Sequence, residues 1–201
     1  MNAYQNFLDF FSMHNKERLD GLSEIYFDPM TPDERKMAFD YLLKKVQAGG
    51  TEESVNGLFL ADEKRAATII DGLLKNNNLR DEAEISAAWN LYRRNPDSEL
   101  LIFFIRSMSN ADERIRAKAA YYIPAEKSYP EVISALKGMI RTETDLLASI
   151  NATNKLLECY GITRESVPKE EFSKLYKGLR NEDTHIKESA LKKLDLYKVL
   201  Q

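Results

Sequence analysis

Asn110-Ala111-Asp112-Glu113-Arg114-Ile115-Arg116-Ala117-Lys118-Ala119 and Asn181-Glu182-Asp183-Thr184-His185-Ile186-Lys187-Glu188-Ser189-Ala190 carry one pattern: Asn, Asp, Ile, a base and Ala at identical internal spacing. Weaker copies open at Asn78, with Ala83, Ala87 and Leu91, and at Glu143, with Ala148, Ala152 and Leu156. The starts at 78, 110, 143 and 181 are 32, 33 and 38 residues apart, which is the period of stacked helical hairpins. In each copy the residues five, nine and thirteen places after the start are small or apolar and share a helical stripe. They form the expected buried set.

Outward from this repeat the helical signal is nearly continuous. Residues 3–13 place Tyr4, Phe7, Leu8 and Phe11 on one face, and residues 16–26 do so with Leu19, Leu22, Ile25 and Tyr26. Phe10 stands beside Phe11 rather than a turn away, so one of the two is expected to be exposed and available for weak dimerisation. Thr31-Pro32-Asp33-Glu34 reads as a helix start: Thr31 as N-cap, Pro32 at the first position, acids in the first turn. That helix runs through Met37, Ala38, Tyr41, Leu42 and Val46 to a stop at Gly49-Gly50. Further helices are predicted over 52–60, 62–75, 81–94, 97–108, 111–123, 129–141, 144–160, 169–180 and 183–199. Asn76-Asn77-Asn78, Asn95-Pro96, Pro124, Gly161 and Asn181 punctuate them. The expected organisation is one all-α domain over 1–201: an N-terminal helical cap at 1–30, irregular hairpins at 31–77 and regular repeats at 78–201.

Composition narrows the function classes. The net charge of -3 divides unevenly: residues 1–92 hold 10 bases and 16 acids, giving -6, whereas 93–141 hold 9 and 6, giving +3. Residues 142–163 hold 1 and 3, giving -2, and 164–201 hold 9 and 7, giving +2. An acidic first half disfavours nucleic acid, whose phosphates need Lys and Arg. The single cysteine, Cys159, forms no internal disulfide and is expected to be packed in a helix end. No basic leader precedes an apolar run, and no stretch of about 18 apolar residues occurs. A cytoplasmic location without membrane attachment is the expectation.

Chemistry-bearing constellations were sought and none emerges. His14 and His185 stand alone, without Cys or carboxylate ligands at metal spacing. Gly49-Gly50 lacks the Lys-Ser or Lys-Thr of a phosphate loop. Asp33-Glu34, Asp62-Glu63 and Asp112-Glu113 all fall at helix starts, where acids offset the helix dipole. The sequence points to no catalytic residue, metal or cofactor.

The repeat resembles the HEAT family and its short bacterial relatives. Asn110, Ile115, Arg116, Ala119, Ala120 and Ile123, and again Asn181, Ile186, Lys187, Ala190 and Leu194, match that family's turn and packing positions. The resemblance covers about residues 78–200 and implies a right-handed α-α superhelix whose second helices line a concave surface. In that register, positions eight, eleven and twelve after each start would form a ridge: Ser86, Trp89 and Asn90; Lys118, Tyr121 and Tyr122; Asn151, Asn154 and Lys155; Ser189, Lys192 and Lys193. Aromatic and basic side chains dominate protein interfaces. The candidate contact residues are therefore Trp89, Tyr92, Arg93, Lys118, Tyr121, Tyr122, Asn154 and Lys192. Trp89 and Tyr122 either join this ridge or fill gaps between hairpins. The implied function is a non-enzymatic module that binds another protein, in the manner of bacterial immunity proteins of similar architecture. A basic partner would suit the acidic first half. The alternative is a DNA glycosylase of the HEAT-like alkylation-repair type, although the ridge holds no aspartate to serve it.

Overall fold

The computed structural model describes residues 2–13, 21–125 and 129–197. The chain divides into two compact units, Met1–Pro96 and Asp97–Gln201. Among the described residues there are eleven α-helices, two short 3-10 turns and no strand. None of these helices is long and apolar enough to cross a membrane.

In the first unit, α1 (Ala3–Phe10) starts where the Asn2 side chain accepts the Gln5 N–H at 2.8 Å. It buries Phe7 and Phe10, with Phe7 against Phe27 and Tyr41 and Phe10 against Tyr26. The expected face named Phe11 instead of Phe10. Phe11 is half-buried and packs its ring on both Phe7 and Phe10, so neither is left fully exposed. Of the helix expected over 16–26, residues 16–20, with Leu19, lie outside the described residues, as do His14 and the helix end at 198–199. Over the rest, only the 3-10 turn Glu24–Tyr26 forms. Gly21 at φ +80° and an extended Ser23 prevent a longer helix, and Ile25 is exposed.

The start of α2 (Pro32–Gln47) is the expected one, and it is completed by a reciprocal capping box. Thr31 Oγ1 accepts the Glu34 N–H at 3.2 Å, and Glu34 Oε2 accepts the Thr31 N–H at 2.9 Å. Its inner face holds Ala38, Phe39, Leu42 and Val46, while Met37 is half-exposed. At its end Gly49 and Gly50 take φ +122° and +69°, and the Gly50 N–H reaches back to Lys45 O at 3.0 Å. Next come α3 (Glu52–Ala61), α4 (Glu63–Lys75) and α5 (Asp81–Arg94). Asp62 both ends α3 and caps α4, accepting the Arg65 N–H at 3.0 Å. The α3 helix packs against α2, α4 and α5. The α5 helix is buried almost all round, from Ala83 to Tyr92.

The second unit opens with the 3-10 turn Ser98–Leu100, which leads into α6 (Leu101–Ser107). Then follow α7 (Glu113–Tyr122), α8 (Pro130–Thr142), α9 (Leu146–Cys159), α10 (Lys169–Leu179) and α11 (Thr184–Tyr197). The repeat motif acts as a start signal. Asn110 Oδ1 accepts the Asp112 N–H and Asn181 Oδ1 accepts the Asp183 N–H, each at 2.9 Å. Each Asp then caps the helix that follows. At the degenerate copy Glu143 does the work of the Asn: its Oε1 accepts the Asp145 N–H at 2.8 Å, and Asp145 caps α9.

Of the twelve residues expected to be buried, eleven are, and Ile186 is not, at 48 % exposed. The reason lies in which helices are neighbours. In the first two hairpins of this unit like packs on like, α6 beside α8 and α7 beside α9. In the last hairpin α11 lies against α10 and α8, and α10 contacts α9. The motif helix has changed layers, so its Ile186 no longer faces what Ile115 faces.

Candidate functional site

Small residues bring α7 and α9 close together. Ala117, Ala119 and Ala120 of α7 and Ala148 and Ala152 of α9 are all buried. Asn151 Nδ2 donates to Ala117 O at 3.0 Å and sets the register of the pair. Tyr121 lies one turn on from Ala117 in α7, and Asn154 and Lys155 lie one turn on from Asn151 in α9. Tyr121 is 62 % exposed at this position. Tyr122 is half-buried and meets it edge to face, with ring centroids 5.0 Å apart. Asn154 is exposed, Lys118 is half-buried, and Lys155 is paired to Glu158 at 2.9 Å. Towards the start of α9 the same helix exposes Leu146 and Leu147.

The α7–α9 pair thus carries four of the eight candidate residues: Lys118, Tyr121, Tyr122 and Asn154. Lys192 is exposed on α11, whose neighbours are α8 and α10, and it does not extend the row. Trp89, Tyr92 and Arg93 belong to the first unit. There Arg93 lies 6.0 Å over the ring of the half-buried Trp89, whereas Tyr92 is core, at 7 % exposed. Ser86 and Asn90 are also buried: Asn56 Oδ1 accepts from Ser86 Oγ and from Asn90 Nδ2, both at 2.7 Å. In the first unit two of the three ridge positions, Ser86 and Asn90, thus tie α5 to α3.

No family model matches the chain, and neither a curated protein nor a solved structure is significantly similar to it.

Elsewhere in the second unit, ion pairs link one helix to another. A cleft of about 820 Å³ lies between the α6–α7 turn and α8, with Met108, Met139 and Gly138 on its walls. Of the three charged side chains that line it, Glu131 is exposed, and Arg116 and Glu143 occupy each other. Nε and Nη2 of Arg116 meet the carboxylate at 2.6 and 2.9 Å, while Nη1 donates to Asn110 O and Ala111 O. These bonds hold the Glu143 carboxyl below the usual carboxylate range.

Asp195 of α11 accepts from Tyr160 Oη at 2.7 Å and from Lys137 Nζ at 2.6 Å. Burial, and then that hydrogen bond, push the Tyr160 phenol up. Burial and the bond to Glu171 push Tyr197 up to about 12. Phenols moved in that direction keep their protons at neutral pH. Among the described residues no group of three His, Cys, Asp or Glu side chains converges to hold a metal, and Cys159 is buried.

The exposed leucines of α9 and the Arg116–Glu143 clamp escaped the sequence reading. Leu146 and Leu147 follow the capping Asp145 directly. An apolar pair in the first turn, before the buried stripe begins at Ala148, is the signal that could have found them.

Proposed function

We propose that this chain is a non-enzymatic protein-binding module built of HEAT-like helical hairpins, and that it meets its partner with the paired outer face of α7 and α9. The observation that carries this reading is Tyr121: a large aromatic, 62 % exposed, met edge-on by the ring of Tyr122. A tyrosine so placed offers apolar area and a polar tip at little conformational cost, the usual chemistry of an interface hot spot. Leu146 and Leu147 add apolar area on α9. The repeated Asn/Asp starts and the layering of α6 on α8 and α7 on α9 support the HEAT-like reading of these hairpins. An inhibitor or immunity role is one form such binding takes.

The test is affinity capture with the intact chain, comparing wild type with Tyr121→Ala and with Met37→Ala as an exposed control. A stoichiometric protein partner whose affinity drops roughly tenfold or more on Tyr121→Ala alone supports the proposal. Both variants should melt as wild type does, because neither side chain is core. A partner held equally by all three chains, or duplex DNA bound with a steep salt dependence, refutes it.

A further inference from the structure

Five bases of residues 164–180 stand apart from the ion pairs of their unit. Elsewhere Arg116 pairs with Glu143, Lys137 with Asp195, Arg141 with Glu188, Lys155 with Glu158 and Lys193 with Glu171. Arg164, Lys169, Lys174, Lys177 and Arg180 have no carboxylate partner among the described residues. Lys177 and Arg180 sit at the C-terminal end of α10, where the helix dipole favours cations. Lys169 does not: it occupies the first helical position, where the dipole opposes it.

Two shallow depressions of about 550 and 540 Å³ adjoin along α10 and share Lys177. Between them they are lined by four bases, Lys169, Lys174, Lys177 and Arg180, against two acids, Glu170 and Glu182. The other acid of α10, Glu171, is taken by Lys193 and Tyr197 of α11. Phe172 and Tyr176 stack at 5.9 Å with rings 16° apart. Arg164 lies over Phe172 at 5.8 Å and Arg180 over Tyr176 at 5.3 Å. The guanidiniums cover the ring faces, so a partner meets positive charge and not an open stacking platform. Single-stranded nucleic acid requires the latter.

We propose that this face of α10 binds an acidic, extended segment of a protein, whose carboxylates are taken by Lys169, Lys174, Lys177 and Arg180. From Lys169 to Arg180 the helix rises about 16 Å, the reach of about five extended residues. This surface is independent of the α7–α9 face, and either can fail without the other.

Fluorescence anisotropy of a labelled oligoglutamate against the full chain tests it. Expected is saturable binding that weakens roughly tenfold in the Lys174→Glu/Lys177→Glu variant and several-fold as salt rises from ~50 to ~200 mM. The Lys36→Glu/Lys64→Glu variant makes the same change in net charge on exposed positions of α2 and α4 and should bind as wild type does. Absence of saturable binding overturns the proposal. So does an equal loss in both variants, which would mean attraction to net charge alone. Tighter binding of an oligothymidylate of matched charge would reassign the face to nucleic acid.

Discussion

Removing the guanidinium of Arg116 breaks the link that ties α7 to the start of α9, and the structure sets the size of the effect. The Glu143 side chain is 2 % exposed and takes four donors: Nε and Nη2 of Arg116, and the N–H groups of Thr144 at 2.9 Å and Asp145 at 2.8 Å. Arg116→Met keeps the aliphatic stem but removes both charge-assisted bonds, and it deprives Asn110 O and Ala111 O of their shared donor. Leaving one member of a buried pair unpaired costs ~3–5 kcal/mol. The Arg116 side chain is 20 % exposed, so water reaches part of the gap, and the expected loss is about 2–3 kcal/mol. Glu143→Gln, which retains shape and an acceptor, should cost about 1–2 kcal/mol. In the Arg116→Met background that second change removes an unpaired charge, so it should be nearly neutral, giving a coupling of about 1–2 kcal/mol.

Urea unfolding followed by circular dichroism measures all four corners of this cycle. The pH dependence gives an independent check. The folded pKa of Glu143 lies below its ordinary value of 4.5, chiefly through the Arg116 hydrogen bonds. The clamp's contribution is therefore complete above the unfolded value and is lost as pH falls through the folded one. Wild type should lose stability on acidification below about pH 4.5, and Arg116→Met should lose less over the same range. Additive effects of the two substitutions, or a loss under ~0.5 kcal/mol for Arg116→Met, would refute the clamp.

Two further outcomes follow from packing. Ile115 and Ile186 occupy the same motif position, but Ile115 is 5 % exposed and Ile186 is 48 %; Ile115→Ala should cost ~2–4 kcal/mol and Ile186→Ala under ~1, measured by denaturant unfolding, and equal costs would contradict the change of layers in α11. Gly138 faces open space, so Gly138→Ala should raise the melting stability by ~0.5–1 kcal/mol. Gly178→Ala places a Cβ 2.9 Å from Ala190 Cβ and should lower it by ~1–3 kcal/mol by forcing α10 from α11.

Most helix boundaries were legible in the chain, because the groups that set them are local. The Thr31–Glu34 box, the turns at Asn110 and Asn181, and the positive φ of Gly49, Gly50 and Gly161 all satisfy or release backbone groups within a few residues. Glu143 shows the same logic in disguise: a carboxylate at the Asn position makes the same bond to the residue two places on. Over residues 21–26 the expected helix gives way to a 3-10 turn, because Gly21 takes a positive φ and Ser23 is extended. Phe10 was missed because α1 meets aromatic rings on two sides, so its buried stripe is wider than one row.

The candidate site was only half legible. Position eleven of the register found Tyr121 and Asn154, both exposed, on two helices that pack together. The same position put Lys192 on a helix with different neighbours, and in the first unit the ridge positions eight and twelve fell on Ser86 and Asn90, which Asn56 draws inside. The repeated Asn-x-Asp-x-x-Ile pattern therefore determines, unaided, that a helix begins and where, because hydrogen bonds along a few residues suffice for that. Whether its isoleucine is core or surface was decided by tertiary structure alone. That outcome depends on which helix lies alongside, a contact between residues dozens of positions apart that no local spacing encodes.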